Sequence, residues 1–379
     1  MRKLKKVLHL STDDKFVDMA LSVFNTFDDV ENSLIVYSRS KKLKYVKNIA
    51  TVINNPNRVV SYVNSFDLII VHSLSPVWGK LLLKMKKEIP IVWIGWGYDY
   101  YDIIGNQLYL NDTKKLFDNC VNVSLLGLLK IKFIAFCRRI WRIRFDVKQE
   151  NVIERINYFS PVLDLEYEMV KKNFNGAIFP KYIEFNYGNL EEYFAKKLED
   201  KRINGHNILV GNSSSYSNNH VEAFKLLKEI GVKTSKIICP LSYGDDKYRT
   251  YIEKKGEEYF GDDFTSLKDF MPLEDYMRVI GSCRYAIMNH CRQQAYGNIV
   301  TLLYLGAKVF LRVQNPLYIY LISKGMNIYS IQDLEDKKCF GDILDEDEIL
   351  HNRNVLKLLL SKEKVINHVK KILEIPEKV

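Results

Sequence analysis

The chain has 379 residues, of which 47% are hydrophobic and 27% charged, and it carries a formal net charge of +10. This excludes a disordered or fibrous polypeptide and leaves room for two domains at roughly 150 residues each. The positive balance points to an anionic partner: a nucleotide, a nucleic acid or an acidic lipid surface. Residues 6–10 read as a short buried strand ending in Ser11, Thr12, Asp13 and Asp14. Phe16, Met19, Ala20, Val23 and Phe24 then recur at intervals of three and four, one face of a helix. Strands follow at 33–37, 67–73 and 91–94, with a helix over 77–85 and a loop over 95–102. Strands alternating with helices predict a parallel sheet wound by crossovers, with ligands outside the carboxyl ends of the strands. Asp13, Asp14, His72, Ser73 and the loop GWGYDYYD all fall at such ends.

Residues 112–148 break the pattern. Lys130, Lys132, Arg138, Arg139, Arg142, Arg144 and Lys148 face one acid, Asp146, with Phe133, Phe136, Trp141 and Phe145 interleaved. A cationic amphipathic helix over about 121–147, with Lys132, Arg138, Arg139, Trp141 and Arg142 at its centre, suits an anionic bilayer surface. The bland alternative is a helix packed on the sheet with a solvated basic face. The fold resumes with a strand and turn at 158–161, a helix over 164–172 and a last short strand at 176–179. Residues 180–205 look irregular, with a charged helix over 190–200, and link two domains.

The second half restarts with a strand at 207–211. A polar loop, NSSSYSNNH, leads into a helix over 220–230 for which Ser217 or Asn218 is a natural N-cap. Such a loop at a strand-to-helix turn is a candidate anion or sugar cradle, through Asn212, Ser213, Asn218 and His220; the alternative is a simple capped turn. A strand at 236–240 exits into Leu241, Ser242, Tyr243 and Gly244, and helices follow over 245–260 and 272–280. The strand at 285–289 leads to Arg292, Gln293 and Gln294, and then to Gly297 and Asn298, where a helix begins. Unpaired N–H groups at a helix start favour an anion, and an arginine beside them adds a fork-shaped cation suited to phosphate. A strand at 308–311, a helix over 316–324, a short strand at 326–329 and two charged helices over 345–360 and 362–373 complete the chain.

No HExxH, P-loop or catalytic-triad spacing is present, and six cysteines without a CxxC pair and seven scattered histidines give a metal site little support. The basic start, MRKLKKVLHLST, has too short an apolar run for a signal peptide, and no window has the ~18 unbroken apolar residues of a span. What the chain offers is an acid or base at the tip of an N-terminal strand and an anion cradle on a second α/β half. That layout suits group transfer from an activated phosphate ester: a hydroxyl attacks, a carboxylate takes its proton, and fixed positive groups stabilise the leaving diphosphate. Asp99 and Asp13 are the best-placed carboxylates, with His72 third. Asp13 equally suits capping the first helix, Asp99 ordering its own loop, and His72 a satisfied strand end.

Ile208-Leu209-Val210-Gly211-Asn212-Ser213, followed by Ser217-Asn218 and His220, resembles a segment of the bacterial TDP-N-acetylfucosamine:lipid II N-acetylfucosaminyltransferases of glycosyltransferase family 56. The strand exit Pro240-Leu241-Ser242-Tyr243-Gly244, the loop Cys291-Arg292-Gln293-Gln294-Ala295-Tyr296-Gly297-Asn298 and the element Trp96-Gly97-Tyr98-Asp99-Tyr100-Tyr101 are also similar to that family's. Tyr98 stands where the family has alanine. The likeness covers most of residues 1–330 and is stronger in the second half.

The resemblance implies an α/β GT-B fold, two Rossmann-like domains facing across a cleft: an acceptor-side domain over 1–185, a nucleotide-sugar domain over 186–350, and C-terminal helices over 351–379. It implies an inverting, metal-independent glycosyltransferase without cofactor, whose substrate is a nucleotide-diphosphate sugar and whose acceptor is an undecaprenyl-diphosphate-linked saccharide. The expected site has Asp99 or Asp13 as base and Asn212, Ser213, Asn218, His220, Tyr243, Arg292, Gln293, Gln294, Gly297 and Asn298 around the donor. Gln293 and Gln294 are singled out by the resemblance alone. The basic aromatic helix then fits a peripheral enzyme on the cytoplasmic face of the plasma membrane. The rival readings are a glycosyltransferase on a non-lipid polysaccharide, a nucleic-acid-binding protein and an inactive sugar-nucleotide sensor. Nucleic acid is disfavoured because the charge concentrates in one amphipathic segment instead of lining a groove.

Overall fold

The computed structural model describes residues 4–12, 16–38, 43, 46–48, 50–105, 108–122, 148–232, 236–338 and 340–377. The chain divides into two compact units. Among the described residues, the first takes 4–105, 148–189 and 360–377, and the second 108–122 and 190–359.

The first unit holds seven strands: β1 (Lys5–Ser11), β2 (Val30–Tyr37), β3 (Thr51–Ile53), β4 (Leu68–His72), β5 (Ile91–Ile94), β6 (Tyr158–Ser160) and β7 (Lys181–Tyr182). They lie in the order β3-β2-β1-β4-β5-β6-β7, every pair parallel. The β4 and β5 segments LIIVH and IVWI are buried at every residue, as expected of strands covered on both faces. Helix Val17–Phe24 lays Ala20, Val23 and Phe24 against Val7, Leu68 and Ile70. The C-terminal helix Lys362–Leu373 adds Val365, Val369 and Ile372 to the same core. Burying one such side chain contributes about 1.5–3 kcal/mol, so this distant segment belongs energetically to the first unit. Lys5 Nζ donates to the carbonyls of Leu373 (2.6 Å) and Ile375 (2.5 Å), capping the end of that helix.

The second unit holds β8 (Asn207–Val210), β9 (Ile237–Pro240), β10 (Phe264–Leu267), β11 (Cys283–Met288), β12 (Lys308–Leu311) and β13 (Tyr329–Ser330), in the order β10-β9-β8-β11-β12-β13 and again parallel throughout. Each sheet therefore grows outward from its first strand and then reverses. The reversal falls between β1 and β4 in one unit and between β8 and β11 in the other. Loops leave such a switch point in opposite directions and open a crevice at the carboxyl ends of the strands.

Several local expectations change. No strand forms at 176–179; the ladder begins after Pro180, which lacks an N–H, with Lys181 N–H donating to Asn157 O (2.9 Å). The helix expected over 190–200 shrinks to a five-residue π turn, Leu190–Phe194, followed by Lys197 at φ 60°. Strand β10 and helix Ile331–Lys337 were not anticipated. Residues 108–122, read as part of the N-terminal domain, pack in the second unit. Helix Asn111–Asn122 begins where the Glu222 carboxylate accepts the N–H groups of Asp112 and Thr113 and the Thr113 hydroxyl (2.9, 2.8 and 2.6 Å). No helix among the described residues is long and apolar enough to cross a membrane.

Candidate functional site

In the second unit the loops leaving β8, β9 and β11 meet through side chains. Gly211 turns the chain at φ 67°, where an added Cβ would fall 2.6 Å from His220 Nε2 and 2.7 Å from Asn218 Oδ1. The turn is therefore reserved for glycine sterically as well as by its backbone angle. Asn218 is buried at the centre of the loop. Its Nδ2 donates to the carbonyls of Ser213 (2.9 Å) and Ser215 (3.0 Å), which fixes the amide orientation. Its Oδ1 then accepts the Asn212 N–H and His290 Nε2–H, both at 2.8 Å. His290 is thus the neutral Nε2–H tautomer, and burial, then Arg292 and His220, depress its pKa to about 3. The β9 exit closes on the same loop. Ser214 N–H and Oγ donate to Tyr243 O at 2.8 Å, and Gly244, at φ 127°, lies so close that a Cβ would meet Ser214 at 2.6 Å.

On this scaffold stands a polar cluster. Asn212 Nδ2 donates to Tyr243 Oη (2.8 Å), and Asn212 Oδ1 accepts from Gln294 Nε2 (2.8 Å). Gln294 Oε1 accepts from Ser217 Oγ (2.7 Å) and Arg292 Nε (3.2 Å). Gln294 is thus the bridge between the β8 and β11 loops. Helix Tyr296–Leu305 starts beside the cluster after Ala295 at φ 60°, without a side-chain cap, whereas Asp245 and Asn315 cap helices elsewhere in this unit. The positive end of its dipole follows the loop that carries Arg292, a setting that favours an anion. Asn298 Nδ2 donates to Tyr276 Oη (3.0 Å), Gly297 packs near Phe194, and Gln293 is buried.

The structure thus gathers Asn212, Tyr243, Arg292 and Gln294 into one network, with Ser217 added to the expected set. Ser213 and Asn218 support the loop from below. His220 is wholly buried against Tyr248, its pKa lowered to about 3 by burial, so it serves the scaffold. The expected N-cap also changes. Asn219, at φ 51°, precedes helix His220–Ile230 without capping it; its side chain accepts from Leu110 N–H (2.9 Å) and donates to Asn289 O (2.9 Å). Tyr276 and His290 were not anticipated, although His290 stands two residues before Arg292 in the same loop.

In the first unit, Asp99 is enclosed. Oδ2 accepts Leu74 N–H (2.8 Å) and Trp93 Nε1–H (2.7 Å), and Oδ1 accepts Trp96 N–H (2.8 Å). Burial raises its pKa, and the three donors oppose that rise. Since a carboxylate has about four acceptor positions and three are filled, Asp99 is a latch joining the β4 and β5 exits. This is the loop-ordering role that the sequence offered for Asp99 beside that of base. Asp13, Lys132, Arg138, Arg139, Trp141 and Arg142 lie outside the described residues. His72 is buried and bonded on both ring nitrogens, to His9 Nδ1 (2.9 Å) and Tyr187 Oη (2.5 Å).

The family described as 4-alpha-L-fucosyltransferase, glycosyl transferase group 56, matches residues 157–358, more than half of the chain. Among solved structures, sucrose-phosphate synthase from Thermosynechococcus elongatus is similar at 10% identity over 97% of this chain and 98% of that one, with a TM-score of 0.64. The Anabaena protein HepE, solved in complex with UDP and glucose, gives 12% identity, 97% and 99% coverage and a TM-score of 0.62. The lipopolysaccharide outer core galactosyltransferase WaaB gives 9%, 97%, 99% and 0.59. Such identities speak for the fold alone, the α/β GT-B fold with its two parallel sheets. The activity class comes from the family match, by which the chain belongs to the 4-alpha-L-fucosyltransferases of glycosyl transferase group 56 and is a glycosyltransferase.

Proposed function

We propose that this glycosyltransferase moves an amino-deoxysugar of the N-acetylfucosamine type from a TDP- or other nucleotide-diphosphate sugar to an undecaprenyl-diphosphate-linked saccharide, with inversion. The single observation that carries the donor half is the network Asn212–Tyr243–Gln294–Ser217–Arg292 at the switch point of the second sheet, beside an uncapped helix start. Arg292 and the N–H groups at Gly297 and Asn298 hold the diphosphate and stabilise it as it leaves. Asn212, Ser217 and Tyr243 bond the sugar or phosphate oxygens. The acceptor hydroxyl attacks the anomeric carbon, the bond to the diphosphate breaks, and the nucleoside diphosphate departs with the electron pair. With Asp99 committed to its loop, Asp13 takes the hydroxyl proton. No metal or cofactor enters the scheme. The basic segment with Lys132, Arg138, Arg139, Trp141 and Arg142 brings the enzyme to the anionic cytoplasmic membrane face, where a lipid-linked acceptor resides.

Thermal shift with TDP, UDP and their sugars tests the donor half, because a ligand that binds only the folded state raises the melting temperature with concentration. A response to TDP above UDP supports the reading. Radiolabel transfer from TDP-N-acetylfucosamine into the organic phase of a membrane extract tests the acceptor half. Label recovered only in water-soluble polysaccharide would replace the lipid acceptor with a polymer.

A further inference from the structure

At the switch point of the first sheet the chain builds a second surface. Phe16 follows the β1 exit, Ser73 the β4 exit, and Trp96 and Tyr98 the β5 exit; Tyr187 joins them. Trp96 is the hub. Its ring meets Phe16 at 5.3 Å and 86°, Tyr98 at 6.3 Å and 78°, and Tyr187 at 5.6 Å and 89° between centroids and planes. None of these contacts is a parallel stack. Phe16 is 43% exposed and Tyr98 52%.

Three of the four residues, Trp96, Tyr98 and Tyr187, are held by polar groups beneath them. The Asp99 latch fixes the Trp96 backbone (2.8 Å), and Ser73, itself at φ 57°, hydrogen-bonds through Oγ to Tyr98 Oη (2.7 Å). Tyr187 ends a chain whose direction can be deduced. Asn32 Nδ2 donates to Asn25 Oδ1 (2.9 Å), so Asn32 Oδ1 faces His9 and accepts from its Nε2–H (3.2 Å). His9 Nδ1 must then accept from His72 Nε2–H (2.9 Å), and His72 Nδ1 from Tyr187 O–H (2.5 Å). Both imidazoles are neutral, and the Tyr187 proton is committed inward. The rings are therefore preorganised: four elements and five buried or half-buried polar side chains spend their bonds on orienting them.

We propose that Phe16, Trp96, Tyr98 and Tyr187 form the acceptor subsite, on which a pyranose ring of the acceptor saccharide rests by its C–H face while the Tyr98 hydroxyl, held from beneath by the buried Ser73, bonds its hydroxyls. The inference rests on the reading that the acceptor is a saccharide. A sugar ring has an apolar C–H face and a rim of hydroxyls, and this surface offers aromatic rings edged by the oriented Tyr98 hydroxyl. A prenyl chain would match the rings but bring no polar group to the Tyr98 hydroxyl at their edge. The place is the carboxyl end of a doubly wound sheet, where ligands of this architecture bind.

Saturation-transfer NMR tests the subsite on the intact protein, with methyl glycosides of glucose, galactose and N-acetylglucosamine as probes and farnesyl phosphate as a competitor. Saturation of the ring C–H protons is expected. Phe16→Ala and Tyr98→Ala each weaken the best probe about tenfold, the stacking loss of about 1.4 kcal/mol. Tyr98→Phe, which keeps the ring and loses the rim hydroxyl, weakens it by less. Thermal stabilisation by nucleoside diphosphate stays at the wild-type level in all three. If the glycosides receive no saturation while the nucleotide still raises the melting temperature, the subsite is refuted and the donor reading stands. Farnesyl phosphate binding that the two alanine variants abolish, with no glycoside contact, refutes the saccharide in favour of a lipid tail. If neither nucleotide nor glycoside binds, the transfer reading falls and the subsite with it.

Discussion

Asp99→Asn separates a latch from a base. The carboxylate receives three N–H donors at 2.7–2.8 Å, two of them on Oδ2, from Leu74, Trp93 and Trp96. An asparagine retains one oxygen. Whichever position the oxygen takes, the amide nitrogen opposes at least one N–H. Stranding a buried donor costs about 1–3 kcal/mol, and the surviving bonds lose their charge assistance. Relief from burying a charge offsets part of this, because burial is the first cause of the raised Asp99 pKa. A net loss of about 2–4 kcal/mol lowers the melting temperature of a unit this size by roughly 5–15 °C. Scanning calorimetry reads that directly, alongside transfer activity scaled to the folded fraction. A variant that melts like wild type yet transfers nothing would return Asp99 to the role of base and refute the latch.

Three other perturbations follow from the same geometry. Arg292→Ala leaves stability near wild type and weakens nucleoside diphosphate binding by about 10–100-fold, the worth of a charge-assisted bond, with Arg292→Lys recovering only part; titration calorimetry with unchanged affinity would remove Arg292 from the site. Gly211→Ala forces a Cβ to 2.6 Å from His220 Nε2 at φ 67°, so the second unit loses about 1–3 kcal/mol and its nucleotide response drops, and an unchanged melting curve would contradict the crowding. Acid sensitivity begins below the ordinary histidine pKa of about 6.5. His9 is held neutral with its pKa lowered to about 4, and His220 and His290 to about 3, with His72 lowered as well, each chiefly by burial. The unfolded chain takes up those protons first, so stability is complete above pH 6.5. It falls as pH drops towards the folded values, by about 1.4 kcal/mol per pH unit for each histidine. Asp99 opposes this weakly at the acid end, since its raised folded pKa favours the folded state as pH falls towards the unfolded value. His290→Gln, whose amide can replace the Nε2–H, flattens the melting-temperature slope by one proton; an unaltered slope would mean that His290 is not held neutral.

The strands and helices were legible because their signals are local: LIIVH and IVWI announce buried strands, and 362–373 announces an amphipathic helix. The candidate cradle was legible in outline, because Arg292 and the start of helix 296–305 are near in sequence. Strand order was not, because apolar periodicity says that a strand is buried and not beside which neighbour. The reversal between β8 and β11 brings Asn212 and Gln294 to 2.8 Å across 82 positions of chain. Asp99 illustrates the limit most sharply. Its sequence neighbours suggest an exposed acid in an aromatic loop, and two of its three donors, from Trp93 and Trp96, stand six and three residues before it. The third comes from Leu74, at the end of another strand, and it is the parallel pairing of β4 with β5 that delivers it. Local pattern determined which residues sit at strand ends. Only tertiary pairing decided which of those ends share hydrogen bonds, and so which carboxylate ties two strand exits together and which polar groups converge.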